Sequence, residues 1–347
     1  MVYLKSMTHF DRLSSPKVRI AINGFGRIGR NAFRIALTKP WAQVVAINDI
    51  TDAATLAHLL KYDTAYGTLD ELVESTADGI KVGRTVYPVS AIKEPSKLPW
   101  KKIGVDVVLE CTGLFTDEKG LKDHLKAGAK KAILSAPAKG GNVPTFILGV
   151  NSAKYKNQSI INNASCTTNC IAPVAAIIQA GLGIHKASMT TIHAYTADQR
   201  LQDAPHKDLR RARAAAENIV PTTTGAALAA TEAVPELKGL FNGLAIRVPV
   251  VVGSLADFTF VTKKKTTVEE VNQLFIKASH EARWQGILAV TNEPIVSSDI
   301  VGRSESSIVD LSLTQVVDGD LVKVIAWYDN EWGYANRLVE MARAVSN

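Results

Sequence analysis

The run Ser165-Cys166-Thr167-Thr168-Asn169 is the stretch of this chain best suited to nucleophilic chemistry. Its cysteine lies between hydroxyl side chains, just ahead of an apolar, helix-like stretch over residues 171–178. At the start of a helix, unpaired backbone N–H groups and the helix dipole favour a thiolate, which is the reactive form of cysteine. The same five residues fit a buried, inert cysteine beside a helix cap equally well. Cys166 is therefore a candidate nucleophile, and the rest of the chain must decide.

His193 is the candidate base for this thiol. It ends a predicted strand over residues 187–193 and comes shortly before a long polar segment rich in arginine, residues 195–220. An imidazole titrates near neutral pH, so it suits proton transfer during catalysis. A histidine at the end of a strand is more often structural, and both interpretations stay open on these residues alone.

A second chemical motif, a glycine loop, lies near the N-terminus. It reads Gly24-Phe25-Gly26-Arg27-Ile28-Gly29, after a strand-like run and before a helical pattern. Such glycines permit a tight turn and let the backbone approach a pyrophosphate, while the helix start attracts negative charge. A second predicted strand, residues 44–47, leads into Asp49, where a ribose-binding carboxylate belongs. This order predicts dinucleotide binding, and Asp49 favours NAD over NADP because it would repel a 2′-phosphate.

Composition sets the frame for these motifs. The chain has 347 residues, 46% hydrophobic and 21% charged, which is typical of a soluble globular protein with two domains. Forty basic residues against 33 acidic ones give a net charge of +7, which suits phosphorylated ligands or, weakly, nucleic acid. No apolar stretch approaches the roughly 20 residues that would span a bilayer. Residues 1–16 are expected to form a disordered N-terminal extension.

The three cysteines predict a reducing compartment, the cytoplasm. An odd number in a chain of this length does not make a disulfide framework. Cys166 and Cys170 are four residues apart, but the further ligands of a closed zinc site are not clustered near them. We expect no metal site.

The elements around these motifs predict an α/β fold. Helices at 52–60 and 116–127 alternate with strands at 105–110, 132–135 and 145–149, and a hairpin is inserted at 80–89. This alternation predicts a doubly wound, Rossmann-type parallel sheet. After Cys166, strands are predicted at 244–252, 256–262, 308–313 and 321–327, with helices at 268–284 and 333–345. Strands in succession predict an α+β second domain with a mixed or antiparallel sheet.

Taken together, the motifs resemble those of phosphorylating glyceraldehyde-3-phosphate dehydrogenases of type I. The matching pieces are Ile22-Asn23-Gly24-Phe25-Gly26-Arg27-Ile28-Gly29-Arg30, Asn163-Ala164-Ser165-Cys166-Thr167-Thr168-Asn169, Thr191-Ile192-His193-Ala194-Tyr195-Thr196, Leu209-Arg210-Arg211-Ala212-Arg213, Pro221-Thr222-Thr223-Thr224-Gly225 and Trp327-Tyr328-Asp329-Asn330-Glu331. The resemblance runs from about residue 17 to the C-terminus. It implies an NAD-binding domain at 17–165, a catalytic domain at 166–330, and a C-terminal helix, 331–347, that packs back on the NAD domain.

The resemblance also implies the chemistry. Cys166 is implied as the nucleophile and His193 as the base and later the acid. The reaction would convert D-glyceraldehyde 3-phosphate, NAD and inorganic phosphate to 1,3-bisphosphoglycerate through a thiohemiacetal and a thioester. The implied cofactor-binding residues are Gly24, Gly26, Arg27, Ile28, Gly29, Asp49, Thr112, Asn330, which would orient the nicotinamide amide, and Tyr334. The same thiol and base would also serve an erythrose-4-phosphate-oxidising or a non-phosphorylating aldehyde dehydrogenase.

Two anion sites and an assembly follow from the same comparison. Thr196 and Arg247, with Asp198 near them, resemble the pair that binds the substrate phosphate. The residues that resemble the inorganic-phosphate cluster are Ser165, Thr167, Arg211, Thr224 and Gly225. The family further implies a homotetramer in which residues 195–220 lie near a neighbouring subunit's cofactor. A nucleic-acid-binding or scaffolding role on the same fold is the rival from another class.

The chain departs from the family's pattern at three places. Val250 follows Arg247-Val248-Pro249 where another proline is common. Cys111 stands where a serine is common, and a thiol donates a weaker hydrogen bond. Ala204 stands where NAD-specific relatives often have a leucine, so some use of NADP is expected beside a strong preference for NAD.

Overall fold

The computed structural model describes residues 17–346 and contains two large sheets with helices packed on them. The expected N-terminal extension, residues 1–16, lies outside the described residues. The strands are β1 (Val18–Asn23), β2 (Ala42–Asn48), β3 (Tyr62–Asp63), β4 (Gly67–Thr68), β5 (Val73–Thr76), β6 (Gly79–Val82), β7 (Thr85–Ser90), β8 (Val107–Glu110), β9 (Lys131–Leu134), β10 (Ile160–Asn162), β11 (Ile184–Ala194), β12 (Val220–Thr223), β13 (Phe241–Val248), β14 (Ser254–Thr262), β15 (Leu288–Thr291), β16 (Ser307–Val317) and β17 (Leu321–Tyr328). The helices are α1 (Arg27–Leu37), α2 (Ala53–Lys61), α3 (Trp100–Ile103), α4 (Glu118–Lys126), α5 (Cys166–Gly181), α6 (Ala226–Ala233), α7 (Val268–His280) and α8 (Trp332–Ser346).

The first sheet has eight strands in the order β10-β9-β8-β1-β2-β7-β6-β5. The six strands from β10 to β7 in this order run parallel to one another, whereas β6 pairs antiparallel with both of its neighbours, β7 and β5. The predicted doubly wound parallel sheet and its inserted hairpin are thereby confirmed. From β1 the chain first forms β2 on one side of this strand, and it later returns to form β8 on the other side. A ligand crevice opens at such a switch point, beyond the carboxyl ends of the strands.

The second sheet has seven strands in the order β12-β13-β11-β14-β17-β16-β15. It is mixed, because β11 pairs in parallel with β13 and β15 with β16, whereas the other pairs are antiparallel. The apolar residues of α5 pack in one core with those of β14, β16 and β17. The helix that begins at Cys166 therefore lies on the middle of this sheet, and the predicted mixed sheet is confirmed.

Helix α8 belongs by its packing to the first sheet. It contacts α1, β1, β8 and β9. Leu338, Val339 and Met341 are buried in the same apolar cluster as Ile20 and Ile22 of β1. The last helix of the chain therefore fills part of the core around the first strand.

Three predicted elements differ from the structure. Residues 145–149 were predicted as a strand, but they form one isolated bridge, Thr145 to Asn162, because the Ile147 N–H donates to the Asn151 side chain instead of a neighbouring strand. The strand predicted at 244–252 ends at Val248, just before Pro249, which has no N–H for the ladder. The helix predicted at 268–284 ends at His280 and is followed by a separate 3₁₀ turn, Ala282–Trp284.

Candidate active site

The thiol of Cys166 sits at the first residue of α5. Ser165 caps this helix, since its hydroxyl accepts a hydrogen bond from the Thr168 N–H at 3.1 Å. Ala164, one residue earlier, is fully buried and has a φ of 53°, which is strained for a residue with a side chain. The Tyr334 hydroxyl donates to the Ala164 carbonyl at 2.9 Å. The turn that aims Cys166 is thus held from both sides.

The structure brings Cys166 and His193 together. The distance from Cys166 Sγ to His193 Nε2 is 3.4 Å, although the two residues are 27 positions apart. His193 lies near the end of β11, beside the start of α5. Cys170, in contrast, is buried and points to the Ser307 hydroxyl at 3.8 Å. Cys166 is therefore the thiol of this helix that has a proton acceptor within reach.

Burial disfavours the charged forms of both members of the pair. Burial raises the pKa of Cys166, and this effect exceeds the lowering by Arg247 and by the Thr167 N–H and hydroxyl. Burial and the charge of Arg247 lower the pKa of His193 to about 3. Burial therefore opposes the thiolate that the helix start favours. The proton of the thiol can pass to His193 as the nucleophile attacks.

Two contacts of the other ring nitrogen, Nδ1, bear on the tautomer of His193. Nδ1 lies 2.6 Å from the carbonyl oxygen of Ala194, which can only accept a hydrogen bond. A proton on Nδ1 leaves the lone pair of Nε2 directed at the sulfur, as a general base requires. Nη1 of Arg247 lies 2.8 Å from Nδ1 and can only donate, so this contact favours the opposite tautomer and also places a fixed positive charge beside the base.

Arg247 also begins a chain of polar contacts through both predicted anion clusters. Its Nη1 donates to the Thr196 hydroxyl at 3.2 Å, and that hydroxyl contacts Asp198. Asp198 forms an ion pair with Arg211, whose Nε donates to the Thr222 hydroxyl at 3.0 Å. Asp198 thus joins the residues predicted for the substrate phosphate to those predicted for inorganic phosphate.

The remaining predicted phosphate residues divide into two groups. Gly225 caps α6 without a side chain, and the Thr224 hydroxyl accepts from the Ala226 N–H at 3.1 Å. A Cβ on Gly225 would meet nothing within 4 Å, so this helix start is open. Thr167 faces inward instead, since its hydroxyl is 2.8 Å from the buried Tyr328 hydroxyl. Tyr328 was not singled out from the sequence as a site residue.

A cavity of about 410 Å³ lies at the carboxyl ends of β1 and β2. Gly24, Gly26, Asp49 and Thr112 line it as predicted, together with Asn48 and Lys93, which sequence reasoning missed. A Cβ on Gly29 would lie 2.0 Å from the Gly24 carbonyl oxygen. Helix α1 has no side-chain cap, so its first N–H groups stay free for an anion. These features fit a dinucleotide with its pyrophosphate at the helix start.

Asp49 is fixed at the edge of this cavity. One carboxylate oxygen accepts from the Phe25 N–H at 2.7 Å and the other from the Thr51 N–H at 2.9 Å. Each oxygen keeps a second lone pair for a ribose hydroxyl. Lys93, an exposed residue, lines the same cavity.

Asn330 is held in one orientation by the second sheet. Its Oδ1 accepts from the Gly253 N–H at 3.1 Å and from the Ser254 hydroxyl at 2.9 Å. The Ser254 hydroxyl itself accepts from the Ala194 N–H, next to His193, at 3.1 Å. The amide nitrogen of Asn330 is thereby left to donate, as the orientation of a carboxamide requires. Ser254 was missed because nothing in the sequence links it to Asn330.

Five predicted cofactor residues do not line the 410 Å³ cavity: Gly29 and Asn330, described above, and Arg27, Ile28 and Tyr334. The guanidinium of Arg27 forms ion pairs with Asp63 and Glu331. Ile28 packs against the apolar cluster of the first sheet. Tyr334 is buried, with its hydroxyl on the Ala164 carbonyl. Their side chains support the cofactor loop and the thiol turn in this structure.

Both halves of the chain match models of known protein families. Residues 18–118 match the family model described as "Glyceraldehyde 3-phosphate dehydrogenase, NAD binding domain". Residues 165–330 match the model described as "Glyceraldehyde 3-phosphate dehydrogenase, C-terminal domain". The two matches cover the glycine loop, the thiol and the base.

Comparison with full-length relatives indicates the same family. The glyceraldehyde-3-phosphate dehydrogenase of Geobacillus stearothermophilus is 52% identical over 332 residues, which cover 95% of this chain and 98% of the relative. The enzyme of the same name from Mycobacterium tuberculosis is 55% identical over 337 residues, covering 94% and 98%. That from Streptomyces coelicolor is 51% identical over 334 residues, covering 95% and 99%. With the thiol, the base and the dinucleotide cavity in place, this chain belongs to the glyceraldehyde-3-phosphate dehydrogenase family.

Proposed function

We propose that the protein oxidises D-glyceraldehyde 3-phosphate with NAD and inorganic phosphate to 1,3-bisphosphoglycerate, as a glycolytic or gluconeogenic enzyme. The observation that carries the proposal is the 3.4 Å contact between Cys166 Sγ and His193 Nε2. The chain also has a dinucleotide cavity, and the contacts that begin at His193 lead to two arginines suited to phosphate. The names of the relatives supply the substrate.

The proposed chemistry uses the pair twice. Cys166 adds to the aldehyde carbon, and its proton passes through His193 to give a thiohemiacetal. NAD, when bound, supplies the hydride acceptor. His193 takes the hydroxyl proton as the thioester forms, and phosphate then attacks the thioester carbon. The carbon–sulfur bond breaks, the acyl phosphate leaves, and the His193 proton returns to sulfur.

Arg247 and Arg211 support a phosphorylated aldehyde and a phosphate acceptor. A guanidinium binds phosphate oxygens in pairs. Arg247 lies beside the base, where it can hold a substrate phosphate, and Arg211 lies beyond Asp198, toward the open start of α6. The second cluster favours the phosphorylating reaction over a non-phosphorylating one. Cys166 and His193 would serve an erythrose-4-phosphate oxidation as well.

The deciding experiment is an assay with glyceraldehyde 3-phosphate and NAD, with and without phosphate. We expect turnover to require phosphate, and Arg211→Ala to raise the KM for phosphate about tenfold or more. Arg303→Ala is the matched control, because Arg303 also pairs with a carboxylate, Glu305, away from this cluster. Turnover indifferent to phosphate would overturn the phosphorylating function, and erythrose 4-phosphate as the better substrate would overturn the substrate.

A homotetramer is proposed, with residues 195–220 placed near a neighbouring subunit's cofactor. Leu201 and Leu209 of this segment are 82% and 80% exposed, which is unusual for apolar side chains. Sedimentation velocity of the purified protein tests the assembly. Leu209→Glu should shift the boundary to smaller species, and Leu72→Glu, at an exposed leucine of the first sheet's hairpin region, should not. A monomer in the unaltered protein would contradict the proposal.

The setting proposed is the cytoplasm, because the three free thiols need a reducing compartment. No helix between residues 17 and 346 is both long and apolar enough to cross a bilayer. Nucleic-acid binding is retained only as a weak secondary activity. It would rest on the net charge of +7 and fall steeply with salt.

A further inference from the structure

Three buried polar side chains form a group that the proposed mechanism does not use. Glu110, His124 and Trp100 are all completely buried, on the side of the first sheet that α3 and α4 cover. Glu110 ends β8, one of the two strands that flank the cofactor crevice. A buried carboxylate is costly unless it is well satisfied, so its contacts need an explanation.

The back of this group fixes the protonation of His124. The Trp100 indole N–H can only donate, and it lies 3.1 Å from His124 Nδ1. Nδ1 must therefore accept, which places the imidazole proton on Nε2. Nε2 lies 2.9 Å from Glu110 Oε2 and donates to it. Trp100 thus selects the one neutral tautomer of His124 that satisfies the carboxylate.

On the side away from Trp100, the group contacts residues that adjoin the glycine loop. Oε1 of Glu110 accepts from the Thr112 N–H at 2.8 Å and also from the Thr112 hydroxyl. Oε2 accepts from Asn23 Nδ2 at 2.5 Å as well as from His124. All four of these groups donate hydrogen bonds, so both oxygens of the ionised carboxylate have their hydrogen-bond partners.

These donors stand on both sides of the glycine loop. Asn23 directly precedes Gly24, and a Cβ on Gly24 would lie 2.6 Å from the Thr112 nitrogen. The loop therefore rests on the same peptide N–H that Glu110 holds. Asn23 in turn accepts from Asn48 Nδ2 at 2.8 Å, at the end of β2. The hydrogen bonds thus join the ends of β8, β1 and β2 beneath the 410 Å³ cavity.

We propose that Glu110 is a positioning residue for NAD, acting through Thr112 and Asn23, and that His124 and Trp100 keep its carboxylate in place. The inference rests on the proposed cofactor cavity. In this arrangement the N–H and hydroxyl of Thr112 are engaged by Glu110, so Thr112 shapes the floor of the cavity while its donors stay off the cofactor. Loss of the carboxylate should loosen the glycine loop and weaken NAD binding, with little effect on the chemical step.

Isothermal titration with NAD tests this on the full chain. Glu110→Gln keeps the size and one acceptor oxygen but loses the charge, so NAD should bind about tenfold more weakly. The turnover number at saturating NAD should change less than about twofold, because Cys166 and His193 are untouched. Asp310→Asn is the matched control. Asp310 is a buried carboxylate that accepts from the Trp327 indole at 3.2 Å, but it belongs to the second sheet. Its loss should lower the melting temperature without changing NAD affinity.

A milder variant keeps the test decisive if Glu110→Gln folds poorly. Trp100→Phe keeps an aromatic ring at this position but removes the indole N–H, so nitrogen NMR of histidine-labelled protein should report a mixture of His124 tautomers in place of one. NAD affinity should fall by a factor of about three. Unchanged NAD affinity in the folded variants would overturn the inference, as would a fall in turnover number alone. Failure of the unaltered protein to bind NAD would contradict the proposed function too.

Discussion

Cys166 and His193 act as a pair, since burial raises the pKa of the thiol and lowers that of the imidazole, and the imidazole lies 3.4 Å from the sulfur, within reach of its proton. Cys166→Ser should therefore abolish the acyl-enzyme, and His193→Asn should leave slow attack with a turnover number lower by about 100- to 10,000-fold. A rapid-quench measurement of acyl-enzyme per subunit separates the two. Cys170→Ser is the control and should retain the acyl-enzyme, because Cys170 contacts Ser307 instead of the base. Inactivation through Cys170 or Cys111 would contradict the assignment.

The lowered pKa of His193, about 3, has a consequence for stability in acid. An unfolded histidine titrates near pH 6.5, so below that pH the unfolded chain binds a proton that the folded chain does not. Stability is therefore present above about pH 6.5 and is lost as the pH falls. Between pH 7 and pH 5 this one group should remove about 2 kcal/mol from the free energy of unfolding.

Denaturant unfolding of the unaltered chain and of His193→Asn at the two pH values measures this effect. The variant should lose about 2 kcal/mol less on acidification, whatever its stability at pH 7. His185→Asn is the control, since His185 is an exposed residue of the same strand. Equal losses in the unaltered chain and in His193→Asn would show that His193 is not kept neutral by burial. At the alkaline end the sign is opposite, because burial raises the pKa of Cys166 and the unfolded thiol ionises first.

Asp49 should set the choice between NAD and NADP. Its carboxylate is fixed by the Phe25 and Thr51 N–H groups at the edge of the cavity, where it would face a 2′-phosphate. Two unit charges about 4 Å apart repel by roughly 4 kcal/mol at an effective dielectric near 20, so a screened part of this still discriminates at least tenfold. Asp49→Gly should shift the kcat/KM ratio toward NADP by that factor. The exposed Lys93 in the same cavity can then pair with the 2′-phosphate.

The Lys93 contribution has its own control. In Asp49→Gly, adding Lys93→Met should reduce the NADP gain, while Lys97→Met should leave it alone, because Lys97 pairs with Glu94 outside the cavity. An unchanged cofactor ratio in Asp49→Gly would show that another residue makes the choice.

At the scale of the element, two helix caps with matched geometry should have different effects. Ser165 accepts the Thr168 N–H at 3.1 Å at the start of α5, and Thr267 accepts the Glu270 N–H at 3.2 Å at the start of α7. Replacing either by Ala should cost about 1 kcal/mol of stability. Only Ser165→Ala should also lower kcat/KM for the aldehyde, because α5 positions the thiol. Urea unfolding and steady-state kinetics on both variants decide. A kinetic defect in Thr267→Ala would mean that general loosening explains both.

The elements also show what the sequence could predict. Strand, glycine loop and helix were readable near the N-terminus because turn chemistry and apolar periodicity agree there. The prediction for residues 145–149 was wrong because these residues are buried but pair only through one isolated bridge: Phe146 and Ile147 fill the core from an irregular segment. The short strands β10, β12 and β15 and the alanine-rich α6 were not predicted, since three or four residues carry too little pattern and Ala gives no amphipathic face.

The site residues also divide into those that a sequence motif reveals and those that it does not. Cys166, His193 and the glycine loop could be found because each has a local motif. Glu110, Ser254 and Tyr328 could not, because their roles come from contacts that no local motif marks. Their distant partners are Asn23, Asn330 and Thr191, respectively. The raised pKa of the thiol was also hidden, since a helix start is visible in sequence and burial is not.

At the scale of the whole molecule, α8 ties the end of the chain to its beginning. Leu338 is fully buried in the apolar cluster that contains β1, so Leu338→Ala should cost about 2–5 kcal/mol. Leu321→Ala is the control, since Leu321 of β17 is 39% exposed and should cost little. Guanidinium unfolding measures both, and NAD should raise the midpoint of Leu338→Ala by binding the folded state. A cost below about 1 kcal/mol for Leu338→Ala would show that the packing of α8 adds little.

The position of α8 also has a consequence for synthesis. The ribosome makes β1 and the glycine loop well before α8. The core around Ile20 and Ile22 therefore stays open along the face that α8 covers until residues 332–346 have left the ribosome. Domains usually close in the order of their synthesis. Here the second sheet, which needs no residue after Tyr328 for its strands, can form before the nucleotide-binding core is complete, and a nascent chain stalled before residue 332 cannot complete that core.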